Sequence, residues 1–477
     1  MDMKLPKIGG WPYVGVIPDI AKAQPSFWLD AWAKYGDLFR IKLGATEVIA
    51  LCQPRHAQHV LVDNADNYRS KGGNQGFRAA IRELTNEGLS TADSESEIWR
   101  RQRATVQPHF SNSNIRSLSE LLIEVIAEHL REWDSAECSG GAIDVDPILS
   151  RIAIDASVRS MFGVRISNKE ADKLAANSEV VMDHIWLSII GSGFPQWLPL
   201  FGQDRQQKAI KAVVAITTQL IDRHVEDGGS DTNLLGILLS QLDDDAVEYM
   251  TDEFLRDEVV SLLLGGYEIM AVTSRCMLDL LVHNPAALAR TRAEVDRMLG
   301  ERVPTYEDLE HLRYCRMVIQ ETLRLCSPVY QIQRMATADD EIDGVPIPAG
   351  TIVSIITHAI HHHPDHWERP ECFEPERFAE TGTRHPFAWM PFGGGRRTCV
   401  AMRYSLIQGQ LILAQALQGF DMTPVSERSV PLYMGTVSRP KSGLRLRIAQ
   451  RPKRTNMSQQ RQGAVMNTLE PQSREVP

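Results

Sequence analysis

The order of apolar and polar positions divides the chain into a short extended region, a long helical stretch and a mixed C-terminal part. "LFRIKLGATEVIAL" (residues 38–51) predicts two short strands around a Gly-Ala-Thr turn. Helical spacing then dominates. "SLSELLIEVIAEHLREWD" (117–134), "DPILSRIAIDASVRSMFG" (146–163), "QQKAIKAVVAITTQLIDRHVED" (206–227) and "PAALARTRAEVDRMLG" (285–300) carry apolar residues three and four apart and predict helices. "GGSDTN" (228–233) predicts a loop. Residues 251–283 are apolar nearly all round, which predicts one core helix of about 50 Å with Asp252 and Glu253 in its first turn and Asn284-Pro285 as its stop. "EIDGVPIPAGTIVSI" (341–355) predicts a second hairpin, and the polar residues 453–477 predict a disordered tail. The fold class is mainly α with a minor β part. No internal repeat or glycine- and serine-rich linker divides the chain, so a single large domain over residues 1–452 is expected.

One stretch of the predicted core helix runs against helix propensity. In "LLLGGYEIMAVTS" (262–274), Gly265 and Gly266 each cost about 1 kcal/mol relative to alanine. Glu268 then puts an acid into the same apolar run. The helix needs both a gap and a carboxyl at this point.

Composition narrows the function classes. A chain of 477 residues that is 43% hydrophobic has material for a large core. Its formal charge of -10 lacks the basic footprint of a nucleic-acid binder. The N-terminus breaks with prolines and polar residues before any apolar run long enough for a secretory or membrane segment, so a soluble cytoplasmic protein without a membrane span is expected. Cys52, Cys138, Cys276, Cys315, Cys326, Cys372 and Cys399 are scattered and never spaced as CxxC, which fits neither a disulfide framework nor a zinc site. The consecutive His361, His362 and His363 cannot all face one ion, so no metal role is expected of them.

The strongest chemical signal is "FGGGRRTCVA" (392–401), where a glycine-rich bend delivers Cys399 just before an apolar helix. A cysteine at a helix N-terminus beside Arg396, Arg397 and Arg403 is expected to have a lowered pKa, and the glycines let a flat ligand approach the backbone. Phe392, Gly395, Arg397 and Cys399 match F-x-x-G-x-R-x-C in order and spacing, and on this signature the chain resembles the cytochrome P-450 family. Ala401 stands where that family usually has glycine. "ETLR" with Glu321 and Arg324, "FEPERF" with Arg377, and "WRRQR" with Trp99 and Arg103 follow in the family's order.

The resemblance covers residues from about 8 to 450 and implies the cytochrome P-450 fold with one heme b (iron protoporphyrin IX). It makes Cys399 the axial iron ligand in the loop begun by Phe392. It puts Trp99, Arg103, Arg334 and Arg397 at the propionates, and makes Glu321, Arg324 and Arg377 a buried structural ion-pair cluster. It implies oxygen insertion into a hydrophobic small molecule, with electrons from a ferredoxin or flavodoxin and its reductase. Arg100, Arg101, Arg396 and Arg403 are the candidate docking cations. The implied pocket draws on Phe77, Ile81, Leu84, Leu264, Val329, Tyr330, Gln331, Ile332, Met434 and Thr436, a largely apolar lining suited to a terpenoid, steroid or lipid-like molecule. Arg78 or Arg82 could anchor a carboxylate there, although a surface position is the simpler reading.

In the family, small residues of the central helix open a groove over the heme, a role that falls to Gly265 and Gly266, and Glu268 holds the acidic position. The next residue is usually a threonine that helps deliver protons during oxygen activation; here it is Ile269, which can neither donate nor relay a proton. Thr273 matches a downstream family threonine and is not expected to substitute. "GGYEI" resembles the corresponding segment of thromboxane synthase, a family member that rearranges a peroxide. An oxygen-independent isomerase or dehydratase acting on a peroxide or oxygenated substrate therefore stands beside the monooxygenase. A non-catalytic heme or ligand-binding protein is the third reading, and the intact Cys399 and Glu268 argue against it.

Overall fold

The computed structural model describes residues 5–12, 14–23, 25–44, 46–70, 84–85, 88–93, 96–134, 142–191, 202–242, 250–379 and 384–452. Phe77, Arg78, Ile81, Arg82, Cys138 and the polar tail lie outside the described residues.

The core is built round the helix Asp252–Val282, which begins where Thr251 Oγ1 accepts the backbone N–H of Phe254 at 3.1 Å. It is long and apolar enough to cross a membrane, but 61% of its most apolar window is inside the protein, so it is a core helix. It packs along Asp146–Phe162, and Gly266 makes the approach close: a Cβ there would meet Ser157 Oγ at 3.1 Å and Met161 Cε at 3.4 Å. Ile115–Leu130, Arg313–Leu325 and Met402–Gly419 pack into the same apolar cluster. The helices expected at 206–227 and 285–300 are Gln203–Glu226 and Pro285–Met298.

A five-stranded sheet flanks this core. Leu38–Leu43 pairs antiparallel with Thr46–Leu51 as predicted, and Thr46–Leu51 pairs parallel with Ile352–Ile355. Ile332–Ala336 and Tyr68–Ser70 complete the order, placing Arg334 opposite Ser70 and Val353. The hairpin expected over 341–355 is shorter. Asp340–Ile342 turns through Asp343-Gly344, both at positive φ, into Val345–Ile347. A two-residue Asp-Gly turn closes a hairpin tightly, and the Pro348–Gly350 turn then sends Ile352–Ile355 to the main sheet instead.

Behind the sheet lies a buried ionic clamp. Arg324 holds Glu321 through two bonds of 2.7 and 2.8 Å, and Arg377 Nε reaches Glu321 Oε1 at 2.9 Å. Arg324 also donates to the carbonyls of His361 (2.8 Å), Pro370 (2.6 Å) and Cys372 (3.0 Å), and its guanidinium stacks on Trp367 at 5.0 Å. His361 Nε2 in turn accepts the N–H of Met390 at 2.9 Å, two residues before Phe392. Burial first, then Arg324, pushes the pKa of His361 down to about 3, so the ring is neutral and free to accept. The clamp thus sets where the cysteine loop begins. Glu321→Gln leaves the buried Arg324 guanidinium without its anion and Arg377 with Glu374 alone, and should cost about 3–5 kcal/mol; denaturant unfolding measures this, and a loss below about 1 kcal/mol would show that the clamp does not support the fold.

Candidate functional site

The cysteine loop is shaped by its glycines. Gly393 and Gly395 take φ values of 73° and 65°, and a Cβ on Gly395 would lie 2.0 Å from the Leu61 carbonyl oxygen. The backbone N–H of Cys399 donates to Phe392 O at 3.0 Å and closes the loop, while Thr398 Oγ1 donates to Gly395 O at 2.7 Å. Cys399 is accessible, unlike the buried Cys52, Cys276, Cys315 and Cys326. It opens onto a cavity of about 700 Å³ also lined by Arg103, Gln107, Phe110, Asn112 and Arg403.

The expected lowering of the Cys399 pKa is corrected by the structure: the surrounding protein desolvates the thiol and raises it. The N–H of Ala401 and the charge of Arg103 pull the other way and only partly compensate. The three arginines named from the sequence are turned elsewhere. Arg396 pairs with Asp66, Arg403 bonds Asn112 and Tyr306, and Arg397 bonds backbone carbonyls. The thiolate therefore needs a ligand, such as a metal, to stabilise it.

Of the predicted propionate residues, Trp99 and Arg397 meet and Arg103 reaches the cysteine loop, while Arg334 lies on the sheet. Ser96 caps the helix Glu97–Val106 by accepting the N–H of Trp99, which is buried and carries the Arg397 guanidinium over its ring at 5.0 Å. Arg103, on the same helix, reaches across to Thr398 O at 2.7 Å and to Gln107 at 2.9 Å. Arg334 donates to Gln333 O at 2.7 Å, and burial lowers its pKa to about 10. Among the described residues neither Arg103 nor Arg334 has a carboxylate partner. A buried guanidinium without an anion is costly. An accessible thiol next to carboxylate-free cations and a glycine loop fits a flat, dianionic, thiolate-ligated group, so the residues present fit heme.

On the central helix the two glycines part company. A Cβ on Gly265 would meet nothing within 4 Å, so Gly265 supplies open space as expected. Gly266 instead serves the contact with Asp146–Phe162, which corrects the reading of both as groove-forming. Burial raises the pKa of Glu268 to about 8; Arg439 opposes the shift, and Glu179 and Asp183 add to it. At neutral pH this carboxyl is protonated and carries an O–H. Ile269 follows it, and Thr273 Oγ1 is already bonded to Ile269 O at 2.7 Å.

Arg439, with Asp183 at 2.6 Å, was not legible from the sequence, because three separate segments bring these charges to Glu268. Glu258 was missed for a different reason: on an apolar helix its only mark was one more acid in "LRDEVV".

Of the pocket candidates, Leu84, Leu264, Tyr330 and Met434 are buried, and Val329 is exposed. The Tyr330 hydroxyl donates to Gly435 O at 2.9 Å, and its side chain is buried in an apolar cluster. Gln331 Oε1 accepts from Ser354 at 3.2 Å, and Thr436 Oγ1 donates to Met182 O at 2.8 Å. Ile332 lies 3.7 Å from the Cβ position of Gly393, beside the cysteine loop.

Residues 5–448 match the family model described as Cytochrome P-450. Cyclooctatin synthase of Streptomyces melanosporofaciens is 30% identical over 427 residues, covering 87% of this chain and 89% of that protein. Cyclooctat-9-en-7-ol 5-monooxygenase of the same organism is 28% identical over 405 residues (84% and 86%). Cytochrome P-450 3A2 of Rattus norvegicus is 25% identical over 446 residues (89% and 86%).

The glycines give a paired test. Gly265→Ala adds a methyl group to open space in a helix and should leave folding stability unchanged or raise it by up to about 1 kcal/mol. Gly395→Ala drives a Cβ into the Leu61 carbonyl and should destabilise by more than about 2 kcal/mol. Urea unfolding of both variants checks the contrast, and equal effects would show that the loop does not need its left-handed backbone.

Proposed function

The chain belongs to the cytochrome P-450 family, heme-thiolate oxidoreductases that take electrons from a redox partner and act on hydrophobic molecules, and from that premise we propose a monooxygenase of a terpenoid, steroid or lipid-like substrate. The observation that carries this reading is the accessible Cys399 thiol beside Arg103, a cation without a carboxylate. Cys399 would ligate the iron, Arg103, Arg334, Arg397 and Trp99 would hold the propionate end, and Phe392 starts the loop. When bound, the heme supplies the splitting of O2 and the transfer of one oxygen atom into a C–H bond, the thiolate pushing electron density toward the iron.

The chain's own contribution is space, dryness and a proton. Gly265 leaves room over the ring, and apolar neighbours such as Leu264 and Ile332 exclude water. Glu268 holds its proton at its carboxyl near neutral pH, so it donates directly where a threonine would relay. Ile269 withholds the relay, and a hydroxyl on the substrate or an ordered water completes the path. The relative named as a monooxygenase of an unsaturated alcohol supports a substrate that already carries oxygen.

The electron donor is a ferredoxin or flavodoxin served by its reductase, and the setting is cytoplasmic. Arg100, Arg101, Arg396 and Arg403 are the docking cations; Arg101 is paired with Glu97, Arg396 with Asp66, and Arg403 bonds Asn112 and Tyr306, so docking competes with these contacts. One observation keeps the oxygen-independent isomerase as a second reading: with Ile269 in place and the Thr273 hydroxyl engaged, neither supplies a free hydroxyl at this turn of the helix.

Two tests follow from these roles. Cys399→Ser should abolish the red-shifted carbon-monoxide band of the reduced protein, whereas Cys315→Ser and Cys326→Ser, at buried thiols, should keep it; a retained band in Cys399→Ser would overturn the ligand assignment. Ile269→Thr should raise the coupling of oxygen consumption to product for poor substrates and lower hydrogen peroxide release. Product formed anaerobically without a reductant, with no benefit from Ile269→Thr, would instead establish the isomerase.

A further inference from the structure

Glu258 is fully buried on the central helix, ten residues before Glu268, with no cation beside it among the described residues. Its Oε2 accepts the N–H of Leu89 at 2.7 Å and the side-chain amide of Gln102 at 2.9 Å. Oε1 has no partner among the described residues. Gly88 lies so close that a Cβ there would sit 3.0 Å from Oε2, and Ser90 Oγ bonds Ser261 Oγ at 2.7 Å. The strap 88–93 is thus tied to the central helix at consecutive residues.

The other side of the same strap holds Arg397. Its guanidinium donates to Ala92 O at 2.8 Å, Leu89 O at 3.1 Å and Ser90 O at 3.3 Å. The backbone of Leu89 therefore accepts from Arg397 at its carbonyl oxygen and donates its N–H to Glu258. Gln102, the second donor to Glu258, lies one turn from Trp99, over which Arg397 stacks. We propose that Glu258 is a positioning residue for the propionate end of the heme site, setting through Leu89 and Gln102 where Arg397, Trp99 and Arg103 can meet the ligand. This rests on the reading of Arg397 as a heme-facing cation.

Charge on Glu258 is felt because no cation among the described residues is paired with it. On the neighbouring elements Arg103 is bonded to Thr398 and Gln107, Asp257 to Arg256, Asp155 to His129, and Arg159 to Glu124 and Glu128. Asp93 closes the strap, and Leu234–Ser240 carries no titratable group. Burial raises the pKa of Glu258 to about 7, with only the Leu89 N–H opposing it. Ionisation near neutral pH puts a negative charge behind the propionate end, which makes adding an electron to the iron harder.

The test uses the heme-loaded enzyme and two readouts, the rate of heme transfer to apomyoglobin and the midpoint potential across the pH range around 7. Glu258→Leu should speed heme loss at least about fivefold, since two buried donors lose their acceptor. Glu258→Gln keeps an acceptor for Leu89; it should hold heme within about twofold of the parent and flatten the fall of potential with rising pH. If Glu258→Leu does not fold, Gly88→Ala, which presses a methyl group on Oε2, should speed heme loss in the same direction. Arg397→Leu is the control. If it leaves heme loss unchanged, the heme-site reading itself fails; if it speeds heme loss while Glu258→Leu and Gly88→Ala do not, the positioning role is overturned. An unaltered pH slope in Glu258→Gln overturns the electrostatic part.

Discussion

Protein interiors pack to the density of organic crystals, so an opening wide enough for a flat ligand persists only if its walls cannot relax into it. That constraint organises this molecule. The cysteine loop is kept from collapsing by the Phe392–Cys399 hydrogen bond and by the contact of Gly395 with the Leu61 carbonyl, where no side chain fits. Its entry is tied through Met390 and His361 to the buried Arg324–Glu321–Arg377 clamp. The opposite wall is a long helix that is rigid because it is buried on most sides and anchored through Gly266 to its neighbour. Gly265 can leave a gap because everything around it is held.

Buried charge follows the same logic. In the clamp each ionised group has its counter-ion and several carbonyl or N–H partners, the condition under which interior ion pairs are tolerated. Arg103 and Arg334 break that rule among the described residues, being bonded only to neutral oxygens. Glu258 breaks it with the opposite sign. Arg334 is buried and Arg103 half-buried without a carboxylate, which fits a site completed by an anionic ligand, whereas Glu258 is held by the neutral donors Leu89 and Gln102.

Much of this is legible in the sequence. The strand pair 38–51, the core helix and the cysteine loop follow from local rules of periodicity, capping and glycine placement, and those rules act over a few residues. The Glu321–Arg324 pair was visible as neighbours one turn apart, and Arg377 joined it through the family's motif order. What the sequence concealed depends on distance along the chain. Leu89 and Glu258 are 169 residues apart, and Arg439 meets Asp183 across 256. The lowered thiol pKa expected from flanking arginines failed first because the surrounding protein desolvates the sulfur. Adjacency in sequence placed Arg396, Arg397 and Arg403 near Cys399, but each side chain found a partner elsewhere, and Arg103 from a distant helix became the cation that acts on the sulfur.

The substitution at Ile269 is best understood with Glu268 rather than alone. In water a carboxyl would be ionised at neutral pH and could only accept a proton; a relay alcohol would then be needed to pass one on. Burial, with Glu179 and Asp183 nearby, instead holds Glu268 in its acid form. An acid that already bears the proton at the site has less need of a hydroxyl beside it, and isoleucine costs little there while keeping the wall dry. Arg439 acts against this by stabilising the anion, and Asp183 limits its influence by pairing with it at 2.6 Å. Burial therefore sets how acidic Glu268 is, and the Asp183–Arg439 pair only adjusts it.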